Sequence, residues 1–160
     1  MIRAVMETAK GTIRFELDDE HAPITVKNFV DLSKHGFYDG LTFHRVEPGF
    51  VIQGGDPDGN GTGGSGDRIQ LEIWADGDTK ATVGQVLSGG KKPIINHKRA
   101  GVFSMARTND PNSATSQFFI TLGDASFLDG QYAAFGYTED TEVALAIRKG
   151  DKILSVKIEE

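Results

Sequence analysis

The stretch Phe43-His44-Arg45-Val46-Glu47-Pro48-Gly49-Phe50-Val51-Ile52-Gln53-Gly54-Gly55-Asp56 decides how the rest of the chain is read. Two strand-like runs, Leu41–Val46 and Gly49–Gln53, fall on or overlap it. One arginine stands amid apolar and aromatic residues, and a glutamine follows two places after a Phe-Val pair. Charged residues in such company are costly unless something binds them. Arg45 is therefore the first residue to follow.

Outward from this stretch, Thr12–Leu17 alternates polar and apolar residues, which predicts a half-buried strand with Ile13, Phe15 and Leu17 facing in. Ile2–Glu7 pairs with it through a turn near Ala9-Lys10-Gly11. Pro23 suits the first turn of a helix, Val26, Phe29, Val30 and Phe37 recur at helical spacing, and Gly36 is placed to stop it. Further strands are predicted at Ile69–Ile73, Val102–Ala106, Gln117–Leu122, Ala133–Gly136 and Ile153–Ile158. In the last, Leu154, Val156 and Ile158 alternate with polar partners. A second helix fits Thr141–Arg148, ended by Gly150. Many short strands with two helices favour a barrel, because closure removes exposed edges, although a sandwich fits the same pattern. No repeat or linker interrupts the 160 residues, so a single domain over 1–160 is expected.

Composition narrows the function classes. The net charge of -6 argues against nucleic acid or an anionic membrane as the main partner. The absence of cysteine excludes disulfides, thiol catalysis and thiolate metal sites. Met1–Met6 does not read as a signal peptide, and no stretch approaches the roughly 20 apolar residues that span a bilayer. A cytoplasmic location is the resulting expectation.

Three further stretches carry chemistry: Ser104-Met105-Ala106-Arg107, Ser116-Gln117-Phe118-Phe119-Ile120 and Phe127-Leu128-Asp129-Gly130. Together with the first, in this order, they resemble the signature of the cyclophilins, the cyclosporin-binding peptidyl-prolyl cis-trans isomerases. The resemblance runs from about Ile2 to Ile158. It implies an all-β dominated fold, a closed eight-stranded antiparallel β-barrel capped by two α-helices. It also implies a cofactor-free isomerase, expected to be monomeric, that acts on proline-containing peptides and unfolded or flexible protein segments and assists folding.

That reaction needs neither nucleophile nor metal. Amide resonance sets a barrier of about 18–20 kcal/mol, and a catalyst must favour the twisted state in which the prolyl nitrogen regains a lone pair. A fixed donor aimed at that lone pair binds the twisted form better than either planar form. Arg45 falls where the family keeps its catalytic arginine, and guanidinium offers several N–H groups in a rigid, permanently charged fork. From the local pattern alone, Arg45 reads equally well as a surface arginine paired with Glu47.

The resemblance assigns Phe50, Val51, Phe119 and Leu128 to the proline pocket, with Met105 close by. Gln53, Gln117 and the backbone of Ala106 and Arg107 would hold the peptide; His44, next to Arg45 in the chain, is expected to help position it and not to act as a base. Phe118 and Phe119, as strand neighbours, must point to opposite faces, and the resemblance gives the groove to Phe119. Several positions depart from the family. Val51 stands where methionine is usual, Arg107 where asparagine is common, and Tyr132 where histidine is frequent. Phe127 stands where many members carry tryptophan and lacks the indole donor, so weaker cyclosporin binding is expected. Trp74–Ile95 looks longer than the usual connection and reads as a plain insertion or as a flap beside the groove, the first being preferred.

Other motifs carry less. Gly59–Gly64 satisfies G-x-G-x-x-G, but Asp67–Ile73 reads as a strand where a helix should open. Gly89-Gly90-Lys91-Lys92 lacks the first glycine and the Ser or Thr of a phosphate loop. His21, His35, His44 and His97 show no metal spacing and read as solvated or hydrogen-bonded side chains. Two rival functions remain: a proline-peptide binding module without turnover, and a barrel binding small ligands in its interior. Dense apolar alternation opposes the second, because a small barrel fills its own centre.

Overall fold

The computed structural model describes residues 1–159. The strands are β1 (Ile2–Thr8), β2 (Gly11–Leu17), β3 (Phe43–Glu47), β4 (Val51–Gly54), β5 (Glu72–Ile73), β6 (Thr82–Val83), β7 (Val102–Met105), β8 (Phe118–Thr121), β9 (Ala134–Thr138) and β10 (Ile153–Glu159). The helices are α1 (Pro23–Lys34) and α2 (Thr141–Ala146). Eight strands form one antiparallel sheet in the order β10-β1-β2-β9-β7-β8-β4-β3, and β5 and β6 pair separately. α1 packs against β10 and α2 against β2.

The expected closed barrel is corrected. β3 and β10 are the outer strands of the sheet and do not pair as strands, so it is an open half-barrel. Among the described residues, a single bridge, Thr42 to Lys152, and backbone bonds such as Phe43 N–H to Asp151 O lace the two ends. The predicted helix over 141–148 stops at Ala146, because Ile147 is extended. The strand predicted over 69–73 shrinks to Glu72–Ile73, with Ile69 bridged only to Ala114.

Aromatic rings fill the interior. Phe15 stacks on Phe103 with centroids 4.3 Å apart, and Phe29 of α1 packs against Phe15, Phe118 and Phe135. Tyr38 is fully buried and donates its hydroxyl to Ser116 O at 2.9 Å; burial pushes its pKa up.

Two of three register shifts in the sheet, those in β10 and β3, set which side chains of its outer strands face inward. Along β1 and β10, Glu7 pairs with Ser155 but Thr8 with Ile153, so Leu154 is an extra residue. A bulge shifts the alternation by one. Ile153 is therefore buried and Leu154 is 56% exposed, contrary to the expected alternation. Along β3 and β4, Phe43 pairs with Gly54 and Arg45 with Gln53, so His44 is the extra residue. Phe43 and Val46 both pack on the core as a result, and Arg45 is turned to the outer face. Without the bulge, strict alternation would put Arg45 on the same face as Phe43.

Residues 71–87 build a satellite core from Leu71, Ile73, Ala75 and Leu87 against Ala133. From it the buried carboxylate of Glu72 reaches the start of α1, where Ala22 offers no side-chain cap. It accepts from Ile24 N–H at 3.1 Å and Thr25 N–H at 3.0 Å.

Candidate active site

The groove lies on the outer face of β3, β4 and β8. Val51, Gln53 and Phe119 share that face, while Ile52 and Ile120, their chain neighbours, belong to the core. Phe118 is buried in the core and Phe119 packs with Val51 and Leu128.

A slot of about 170 Å3 opens between these residues. Arg45, Phe50, Val51, Gln53 and Phe119 line it from the sheet side. Ala106, Arg107, Leu128 and Tyr132 close it from the loops. Nine residues assigned from sequence thus meet in one concavity. Gln117 does not line the slot; it borders an adjoining hollow of about 380 Å3 that shares Gln53, Ala106 and Arg107 as a wall.

Arg45 is held by a relay of amides. Its Nη1 donates to Gln53 Oε1 at 3.2 Å, and Gln53 Nε2 donates to Gln117 Oε1 at 2.9 Å. Gln117 Nε2 in turn donates to the carbonyls of Gly61 and Gly63. The pairing with Glu47 that the local pattern offered is also present, at 3.5 Å from Arg45 Nε, between half-exposed side chains. Such a pair contributes at most about 1 kcal/mol and leaves other N–H groups free to act.

The glycine loop ending the relay is organised around Asp56, not around a phosphate. The buried Asp56 carboxylate accepts from the N–H groups of Asp58, Asn60 and Gly61. Burial pushes its pKa up, but the backbone donors outweigh this and hold the carboxyl below its ordinary range. A side chain at Gly63 would collide with Asp56 and Asp58, so the loop needs glycine there.

Three assigned residues sit elsewhere. Met105 is a correction: it pairs with Phe118 and is buried in the core, and its strand neighbour Ser104 takes the other face. Phe127 is 71% exposed and stacks on Phe50 at 5.5 Å, so it forms a rim and not a wall. His44, the bulge residue, lies outside the slot lining; its Nδ1 is buried without a hydrogen-bond partner, and burial holds its pKa below the ordinary histidine range. Arg107 donates to Gln131 O and Thr108 O and lies 4.5 Å over the ring of Tyr132. No residue from Trp74 to Ile95 lines the slot or its neighbour.

His97 is hydrogen-bonded, as one of its two sequence readings has it, but its place behind the slot with Asp129 is not legible in the sequence. His97 is wholly buried behind Phe119, its ring nearly parallel to the phenyl at 21° and 6.1 Å between centroids. Its nitrogens meet Asp129 and Ser104. The available signal was strand alternation, which sends Ser104 away from the core when Met105 faces it.

The family model of the cyclophilin type peptidyl-prolyl cis-trans isomerases matches residues 3–159. The chain belongs to the cyclophilin family. This cyclophilin is 48% identical to a peptidyl-prolyl cis-trans isomerase of Synechococcus elongatus, over 99% of this chain and 97% of that protein. It is 41% identical to peptidyl-prolyl cis-trans isomerase A of Dickeya dadantii, over 97% of this chain and 72% of that one. In structure it resembles a cyclophilin type peptidyl-prolyl cis-trans isomerase of Cryptosporidium parvum crystallised in the presence of the dipeptide Ala-Pro. The TM-score is 0.81 at 30% identity, over 99% of both chains.

Proposed function

We propose that this cyclophilin rotates X-Pro peptide bonds in accessible protein segments, with Arg45 as the donor that favours the twisted amide. The observation that carries the reading is the position of the Arg45 guanidinium in a slot it shares with Phe50, Val51, Phe119 and Leu128, tied to Gln53 and Gln117. The slot holds the prolyl ring against Phe50, Val51, Phe119 and Leu128. The twisted nitrogen then offers its lone pair to an N–H of Arg45, a bond that neither planar isomer makes. No covalent intermediate and no metal is required. Assistance to folding in the cytoplasm is part of the proposal and rests on family analogy.

Exchange spectroscopy on a short Ala-Pro peptide tests it. Arg45→Ala should slow isomerisation on the order of 10²–10³-fold, the loss seen when one preorganised donor is removed. Equal rates for the two proteins would remove Arg45 as the donor. Phe119→Ala should weaken binding as well, because the slot loses its floor, by a few kcal/mol at most.

A further inference from the structure

Behind the slot, His97 has no assigned role yet is tied at four points. His97 N–H donates to Asp129 Oδ1 at 2.7 Å, and His97 O accepts from Ala125 N–H at 2.7 Å. Its Nδ1 lies 2.8 Å from the same Asp129 oxygen, and its Nε2 lies 2.9 Å from Ser104 Oγ. A carboxylate only accepts, so Nδ1 carries the proton and Nε2 accepts from the Ser104 hydroxyl. The ring face covers Phe119.

These contacts join three separate parts of the chain. Ser104 lies on β7 and pairs with Phe119 of β8. Ala125 and Asp129 bracket the short helical turn Ser126–Leu128, which carries Leu128 into the slot. The strand that supplies the slot's floor and the turn that supplies its wall share His97 as a common tie. We propose that His97 is a positioning residue for the proline slot, fixing Phe119 against Leu128 through its bonds to Ser104 and Asp129.

The order Asp–His–Ser resembles a hydrolytic relay, but Ser104 is fully buried and lines neither hollow, so no substrate carbonyl reaches it. The role is geometric. Slot walls touch the prolyl ring in planar and twisted forms alike, so loosening them weakens uniform binding and raises KM with little change in kcat. That pattern is the opposite of the one expected for Arg45.

The proposal rests on the isomerase reading for its kinetic arm only. Asp129→Ala and Ser104→Ala each remove a partner of His97, while Asp129→Asn keeps acceptor oxygen in place. With a short Ala-Pro peptide, KM should rise roughly 2- to 10-fold in the two alanine variants, the change that one lost hydrogen bond brings. The kcat should stay within about 2-fold, and Asp129→Asn should restore near-native KM. Independently, the ring resonances of Phe119 and the methyl resonances of Leu128 should shift in both alanine variants, with circular dichroism unchanged. Unmoved Phe119 and Leu128 resonances in folded variants would overturn the positioning role, as would unchanged KM. An inactive wild type would instead remove the isomerase reading and leave the spectroscopic arm standing. Should Asp129→Ala fail to fold, Ser104→Ala decides.

Discussion

Glu72 reaches 47 positions back along the chain to Thr25, accepting from its N–H at 3.0 Å and from its hydroxyl at 2.9 Å. A carboxylate from another part of the fold thus replaces the missing side-chain cap at the start of α1. Glu72→Ala leaves buried N–H groups without acceptors, and the expected cost is about 1–3 kcal/mol. Thermal unfolding should read this as a fall in Tm of roughly 2–4 °C per kcal/mol. Glu72→Gln keeps one acceptor oxygen and should lose less. An unchanged Tm in Glu72→Ala would mean that water satisfies those donors equally well.

Stability should fall on mild acidification. Burial holds the His97 imidazole below the ordinary histidine range, outweighing the opposing pull of Asp129. The unfolded chain then binds a proton more readily than the folded one, so stability rises with pH across the window between the two values. It is fully present above about pH 6.5 and is lost as pH drops below that toward the folded value. His44 is depressed by burial as well and acts in the same direction. Urea midpoints at pH 7.5 and pH 5 should differ accordingly, and His97→Gln should narrow the difference without abolishing it. A midpoint that rises on acidification contradicts the assignment.

Cyclosporin should inhibit this cyclophilin weakly. Phe127 stacks on Phe50 at the rim and offers no donor there. Phe127→Trp adds an indole N–H and should tighten cyclosporin by roughly 2- to 10-fold, the worth of one hydrogen bond. Turnover of Ala-Pro peptides should stay within about 2-fold, because the slot itself is unchanged. Full-strength inhibition of the native protein would show that the indole is dispensable.

Acidic side chains next to proline should be preferred. Arg107 lines both the slot and the adjoining hollow, and its charge is held by carbonyls and the Tyr132 ring. Arg68 lines the same hollow, though paired with Asp110 at 3.4 Å, and Asp56 and Asp58 stand behind the glycine loop and temper the field. A peptide with aspartate within two residues of proline should be turned over a few-fold faster than its asparagine analogue at low salt, and the gap should close at about 1 M salt. Arg107→Ala should close it at any salt; a gap that persists in that variant would shift the preference to Arg68.

Much of the groove was legible because its chemistry is local in sequence. Arg45, Phe50, Val51 and Gln53 lie in one stretch, and alternation set Phe118 and Phe119 on opposite faces, the family resemblance giving the groove to Phe119. Met105, expected close by the pocket, faces the core because its pairing with Phe118 puts it on the inner side of β7. The bulges at His44 and Leu154 escaped because an extra residue alters alternation without altering composition. Glu72 and His97 escaped for a different reason. Glu72 is 47 positions from Thr25 and His97 is 32 from Asp129, separations that no local pattern spans.

The open seam between β3 and β10 leaves two strand borders without a hydrogen-bonded neighbour along most of their length. Unpaired borders invite other chains to add on, and charged side chains discourage it. β3 presents exposed Arg45 and Glu47, and β10 presents exposed Lys157 and Glu159. The guanidinium that lines the slot therefore also sets a charge on an open border, and Arg45→Ala should strip half of that guard from β3.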